Sequence, residues 1–241
     1  MKYCVVVHTC DAYHQFWNGF YHSMQKYWDF NIDCPIFFCN ETIDLQFTNP
    51  TFKQLKTGSG SHSGRMAKIL DMLEDYDYIF YMLEDFWPTR PMTKKMFEGL
   101  AELTIQNNWE SLRLSHFMPD LYKAELTEYQ FDNQKLLKFS KDSKWLFSQQ
   151  TAFWNRKFLR SCIVEPAISE TEISSSLTGE IAMDEYLRSN FPNAQIYHYH
   201  YHWYPVAGTV WRGKLTDIGK EIEYILYTDE FVKNFNHSSS Q

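Results

Sequence analysis

The sequence predicts an α/β protein, a single domain built on a mixed, mainly parallel central sheet flanked by helices. Three observations predict it. Residues 3–9, YCVVVHT, form a short apolar, β-branched run. Residues 14–28 carry Phe16, Trp17, Phe20, Met24, Tyr27 and Trp28 at spacings near three and four, the pattern of an amphipathic helix. Residues 35–40, PIFFCN, form a second apolar run. Strand, helix and strand in that order open a βαβ unit, which favours parallel pairing. A length of 241 residues suits one domain. It is read here as 1–235, with halves 1–105 and 106–235.

The first strand is followed by Asp11, placed to cap the helix behind it. Residues 57–64, TGSGSHSG, combine glycine with cap-forming serines and read as a loop. A helix follows over residues 65–75, with Met66, Ile69, Leu70 and Leu73 on one face. Residues 78–83, YIFYML, form a buried strand that stops at Glu84 and Asp85. Pro91 announces a helix near 93–106. Residues 110–117 and 135–140 read as strands, antiparallel or at an edge, and 148–161 as a strand or loop entering a helix. Residues 179–191 read as a helix ended by Pro192, and residues 194–205 alternate strictly, as a strand does. Residues 210–221 read as loop and turn, and residues 236–241 as a disordered tail.

Composition narrows the function. Hydrophobic residues make up 44% and charged residues 22%, enough for an ordinary core. A net charge of −7 argues against nucleic acid as a partner. No apolar run reaches the roughly 18 residues of a transmembrane segment, and the N-terminus turns polar after three valines, so the expectation is a cytoplasmic protein without a signal peptide. Five cysteines with no CxxC point to buried free thiols. Aromatics reach 18%, which offers stacking surfaces for sugars, with Trp203, Tyr204, Trp154, Phe86 and Trp87 as candidates, or a core built of rings.

GSGSHSGR fails as a phosphate loop, because neither GxGxxG nor GxxxxGK[ST] is met, and no GxSxG elbow occurs. The string still precedes a helix, whose N-terminal amides attract anions, and Arg65 in the first turn would add a fork that matches phosphate. In open α/β sheets ligands bind beyond the carboxyl ends of strands. Glu84 and Asp85 stand at such an end. Two carboxylates there suit a hard divalent cation, Mn or Mg, bridging a diphosphate.

Taken in order, YCVVVHTCDAY, the Arg-bearing SGRMAKILDMLEDYDYIFYMLED, GEIAMDEYL and HYHYHWYP resemble the GT-A class of nucleotide-sugar-dependent glycosyltransferases. Leu-Glu-Asp stands where that class has Asp-x-Asp. The resemblance covers about residues 3–205. It implies a GT-A-like (Rossmann-like) fold with residues 1–105 as the nucleotide-sugar half and 106–235 as the acceptor half. It implies a nucleotide-diphosphate sugar as donor and a glycan or lipid-linked saccharide as acceptor, in surface polysaccharide or glycoprotein glycan synthesis. Thr9 and Asp11 would lie near the nucleoside and Arg65 would face the diphosphate or hold an acid in place. Glu84 and Asp85 would contact metal, ribose or donor sugar, with His200 completing the metal site. Asp184, or its neighbours Glu180 and Glu185, would be the general base.

A base must take a proton from the acceptor hydroxyl as it attacks. Glu180 and Asp184 are one helical turn apart and share a face, and paired acids raise one another's pKa. Asp184 is preferred because apolar Ile181, Ala182, Met183 and Leu187 surround it. His198, His200 and His202 share a strand face, which opens an alternative, a zinc hydrolase. The outer pair would be about 13 Å apart, so at most two could hold one ion. A non-catalytic sugar-binding module is the other alternative. The polar-then-aromatic segment 148–155, SQQTAFWN, offers Gln149 and Gln150 as amide donors and acceptors for sugar hydroxyls.

Overall fold

The computed structural model describes residues 2–163, 176–201, 203–204 and 208–238. Eleven strands and six α-helices lie among them. The strands are β1 (Tyr3–His8), β2 (Ile36–Asn40), β3 (Phe52–Lys56), β4 (Tyr78–Leu83), β5 (Ser111–Ser115), β6 (Ala124–Phe131), β7 (Gln134–Phe139), β8 (Ala152–Asn155), β9 (Ile196–His200), β10 (Val210–Trp211) and β11 (Lys214–Leu215). The helices are α1 (Trp17–Tyr27), α2 (His62–Met72), α3 (Lys94–Gln106), α4 (Arg156–Cys162), α5 (Ser176–Asn190) and α6 (Asp217–Ser238).

Nine strands form one sheet in the order β3-β2-β1-β4-β8-β5-β9-β7-β6. The β3-β2-β1-β4 half is parallel throughout. β8 runs antiparallel between β4 and β5, β5 and β9 are parallel, and β7 reverses again. The mixed, mainly parallel sheet expected from the sequence is therefore present. After β1 the chain moves out through β2 to β3 and then returns to the other side of β1 for β4, so the strand order reverses at the β1/β4 junction. That reversal opens the crevice in which such sheets bind ligands.

Side-chain alternation in the buried strands divides the core into two layers. Val5, Val7, Phe80, Met82, Leu112, Leu114 and Phe153 face α1, α3 and α6, where Phe20, Met24, Phe97, Leu100 and Leu226 meet them. Cys4, Val6, Ile79, Tyr81 and Trp154 face α2, α4 and α5, where Met66, Ile69, Leu70, Leu159, Met183 and Leu187 meet them. The aromatic excess is spent here. Trp87, Trp154 and Trp203 are wholly buried, so packing claims them and they are not sugar platforms. All five cysteines are free thiols.

Four expectations change. The helix at residues 14–28 begins as a 3-10 turn at Asp11–Phe16, and Cys10, not Asp11, precedes it. β3 and β6 are strands that the apolar pattern does not announce; β6 is polar and mostly outside the core. Residues 210–215 form a hairpin rather than a loop, turning through Arg212 and Gly213, both at positive φ. Residues 217–238 are helical, so 236–238 belong to α6 rather than to a tail, and 239–241 fall outside the described residues. Thr216 starts that helix, accepting the Gly219 amide at 3.0 Å.

Candidate active site

The site is built where β1 and β4 end. His8 pairs with Leu83 in register, so Thr9 and Glu84, the next residue of each strand, emerge side by side. Arg65 reaches them from α2. Ser61 caps that helix by accepting the Gly64 amide at 3.1 Å, which fixes its first turn against the strand ends. From there the Arg65 guanidinium donates to the Thr9 carbonyl and lies 3.7 Å from Glu41. Thr9, Arg65 and Glu84 are each 3% exposed, while Asp85 is half-buried. The structure thus brings Thr9, Arg65, Glu84 and Asp85 together.

The electrostatics follow from burial. Burial and the neighbouring Asp85 carboxylate push Glu84 well above the ordinary carboxylate range, while Thr9 and Arg65 pull the other way. Burial alone raises Asp85 to about 7. Two adjacent acids in a dry site cannot both ionise cheaply, so the pair holds a proton near neutrality. Glu84 Oε1 and Asp85 Oδ1 are buried without a hydrogen-bond partner.

The C-terminal hairpin covers this turn. The Asp85 carbonyl accepts the Thr209 amide at 3.0 Å, its hydroxyl at 2.5 Å and the Val210 amide at 3.3 Å. Thr209 Oγ1 also accepts the Trp87 amide at 3.2 Å. Tyr13, under the field of Asp85 and Glu84, packs against Gly213 at the turn of the hairpin.

Asp11, expected at the nucleoside, is engaged by the loop after β2. Its carboxylate accepts Asn40 Nδ2 at 2.9 Å, the amides of Glu41, Thr42 and Ile43 at 3.2, 2.8 and 3.0 Å, and the Thr42 hydroxyl at 2.5 Å. It pins the loop after β2. Thr9 Oγ1 is engaged as well, accepting the Trp17 indole at 2.9 Å.

On α5 the two inward acids bind the loop before β8. Asp184 accepts the Phe147 amide at 2.9 Å and both Nε and Nη2 of Arg188, at 3.1 and 2.5 Å. That ion pair occupies the residue preferred as base. Glu180 accepts the Gln149 amide at 2.7 Å, and burial raises its pKa. Glu185 is exposed. Helix α5 approaches α2 so closely that a Cβ on Gly179 would overlap the Ser63 hydroxyl.

Between Glu180 and the strand-end acids lies a group the sequence reading overlooked. His8 Nδ1 and Tyr81 Oη are 2.9 Å apart, and His8 stacks on His62 with ring centroids 4.1 Å apart. Burial first, then Arg65, holds His62 down at about 3, so the imidazole is neutral. Burial first, then the Glu180 charge, pushes the Tyr81 hydroxyl well above the ordinary phenol range, with Glu84 and Asp85 adding to it and Arg65 opposing. The alternation of YIFYML marks Tyr81 as facing α2, and that signal could have found it.

His200 does not join the acids. β9 lies three strands from β4, about 14 Å at the usual strand spacing. Its Nδ1 accepts the Phe117 amide at 3.2 Å. His198 Nε2 donates to the Ser115 carbonyl at 2.9 Å. His202 falls outside the described residues. Among the described residues no three His, Cys, Asp or Glu side chains are grouped to hold a metal, which leaves the zinc arrangement without support. Two surface clefts, one lined by Lys138, Ser140 and Gln195 and the other by Asn31, Cys34 and Pro35, lie away from the acids.

No protein-family profile and no curated protein matches the sequence. Solved structures do match its fold. UDP-glucose pyrophosphorylase complexed with UDP-glucose superposes with a TM-score of 0.51 at 9% identity, covering 97% of this chain and 99% of that one. The apo pyrophosphorylase gives 0.50 at 11% identity over 97% and 99%. S. aureus TarS gives 0.50 at 14% identity, over 83% of this chain and 35% of that one. The chain spans 35–58% of the TarS chains it matches. Strand order and these likenesses agree that the chain has a GT-A-like α/β fold.

Proposed function

We propose that this protein is a glycosyltransferase that moves a sugar from a nucleotide-diphosphate sugar to a glycan or lipid-linked saccharide. The observation that carries the reading is the convergence of Thr9, Arg65, Glu84 and Asp85 at the β1/β4 reversal. Its support from fold comparison is TarS, a glycosyltransferase, and a pyrophosphorylase solved with UDP-glucose.

The acid pair fits a divalent cation. Its two unpartnered buried oxygens are hard ligands, and a cation would replace the proton that the pair otherwise retains. Glu84 and Asp85 would hold it, and a bound Mn or Mg supplies Lewis-acid neutralisation of the departing diphosphate. Arg65 adds positive charge from the other side and keeps the Thr9 carbonyl in place.

Glu180 is the base in this reading. The hydrogen bond it accepts from the Gln149 amide fixes its direction, and burial raises its pKa, which strengthens it as a base. Asp184, locked by Arg188 and Phe147, positions α5. Burial keeps His8 neutral beside the Tyr81 hydroxyl. The expected setting is the synthesis of a surface polysaccharide or glycoprotein glycan in the cytoplasm. No described helix is long and apolar enough to cross a membrane.

A second reading comes from the pyrophosphorylase, which matches nearly end to end. There the same pocket would exchange pyrophosphate with a nucleotide sugar. Incubating the protein with a panel of nucleotide sugars and Mn, with saccharide acceptors in one arm and pyrophosphate in the other, separates the two. Transfer or donor hydrolysis that Glu180→Gln slows about 100-fold supports the transferase. Nucleoside triphosphate formed only with pyrophosphate supports the alternative, and neither product sinks both.

A further inference from the structure

The hairpin that covers the acid turn has an outward face. β10 and β11 are two residues each, too short to hold together unaided. Val210 and Leu215 pair across the hairpin and turn inward to the core. Trp211 and Lys214, the next pair, therefore stand on the opposite face. Trp211 is 65% exposed, whereas the other described tryptophans are buried or half-buried. The Arg212 guanidinium lies over its ring, 5.7 Å from the centroid. Arg212 and Lys214 are exposed and join no ion pair among the described residues. Asp217, the nearest acid along the chain, is held by Lys220 at 3.0 Å.

The active site fixes where this face stands. Thr209 and Val210 bind the Asp85 carbonyl, and a Cβ on Gly213 in the turn would lie 3.5 Å from the Tyr13 ring. Burial first, then the Asp85 carboxylate, raises the Tyr13 hydroxyl, so the turn and the acids share one locality. Trp211 thus stands at the rim of the crevice, on the solvent side of the turn that carries Glu84 and Asp85.

The tip is also kept against local preference. Arg212 has a φ of 49° at the first position of a two-residue turn, where Asn, Asp or Gly is usual. A non-glycine residue held in that region at the edge of a site calls for a functional reason. The chemistry of the face supplies one. An indole stacks on the C–H face of a sugar ring, and two cations beside it with no acid of their own suit a carboxylate or phosphate. A neutral sugar or a nucleobase would cover the indole and leave both cations unmatched. We infer that Trp211, Arg212 and Lys214 form a docking platform for an acidic sugar unit of the acceptor saccharide. The assignment to the acceptor rests on the transferase reading, in which the donor fills the strand ends beneath and the acceptor enters over the rim.

The test is titration of the full chain with methyl glucuronoside, glucose 6-phosphate and methyl glucoside, followed by tryptophan fluorescence and ligand-observed NMR. UDP affinity in the presence of Mn is measured by calorimetry on the same samples. The expected result is that an acidic sugar binds at least about fivefold tighter than methyl glucoside. Trp211→Ala should weaken all three sugars at least about fivefold. Arg212→Asn/Lys214→Ser, which keeps a residue suited to the turn, should remove the preference and leave methyl glucoside binding as in the parent. Trp211→Phe should keep the binding and lose the fluorescence change, which assigns the signal to this indole. The substituted side chains are exposed, so the variants keep the fold. Preference for the glucuronoside identifies a carboxylate and preference for the phosphate a phosphate. Equal binding of all three sugars, no sugar binding up to tens of millimolar, or a Trp211→Ala variant that titrates like the parent would each overturn the platform. Sugar binding through Trp211 in a protein that ignores UDP would leave the platform standing and overturn the transferase reading.

Discussion

Replacing Asp11 by alanine separates the two roles open to that carboxylate, nucleoside ligand or loop pin. The structure spends it on the loop: five donors from residues 40–43 converge on its two oxygens. Burial opposes the charge, but the Thr42 and Asn40 donors outweigh it, and the carboxyl falls from 3.8 to about 2. Nearly two pH units correspond to about 2.5 kcal/mol, which solvent screening at a partly exposed group reduces to about 1–1.5 kcal/mol. Truncation also strands donors that were bonded to a charge, adding about 1 kcal/mol. Asp11→Ala should therefore lose about 2–2.5 kcal/mol of stability in urea unfolding at pH 7. The folded carboxyl titrates below its unfolded value. Its contribution is whole above about pH 4 and drains away between about pH 4 and pH 2, so the gap between parent and variant should narrow at pH 2.5. A variant within about 0.5 kcal/mol of the parent at pH 7 whose UDP affinity has collapsed would refute this account and return Asp11 to the ligand.

Three further outcomes follow from the same geometry. Gly179→Ala should cost about 1–3 kcal/mol, because its Cβ overlaps the Ser63 hydroxyl, and Ser63→Ala in the same chain should recover most of it; an additive double mutant would contradict the contact. Asp85→Asn should stabilise the metal-free protein at pH 8 and converge with the parent near pH 4. The parent's folded carboxyl is raised to about 7, so stability present at low pH is lost as pH rises through that value; parallel melting curves across the range would speak against it. Asp184→Asn should lower stability by about 1–3 kcal/mol through its lost bonds to Arg188 and Phe147, yet slow turnover less than tenfold; a 100-fold loss in a well-folded variant would restore Asp184 as the base.

The parts of the fold that the sequence disclosed are those whose burial leaves a periodic trace. β1, β2 and β4 are apolar on both faces because helices cover both, and α2, α3 and α5 carry one apolar stripe each. β3 and β6 sit at the two edges of the sheet, where half or more of the residues meet water and alternation fades. In the site, Arg65, Glu84 and Asp85 were readable because a charge breaking off a buried strand or opening a helix is locally anomalous. The apolar neighbours of Asp184 mark its burial, and Arg188, at i+4, is the sequence sign of the partner that engages its carboxylate. Tyr81 and His8 looked like ordinary strand residues, and only the register that sets β1 beside β4 joins them.

The claim on which the rest depends is that the ends of β1 and β4, with Arg65, bind the pyrophosphate of a nucleotide sugar. Calorimetric titration of UDP-sugars and GDP-sugars with and without Mn, on the parent and on Glu84→Gln/Asp85→Asn, tests it directly. The account predicts one saturable site in the parent, tightened by Mn, and at least a tenfold loss together with the Mn effect in the double variant. A parent that binds no nucleotide sugar, or a double variant that binds as well as the parent with the same response to Mn, would contradict it.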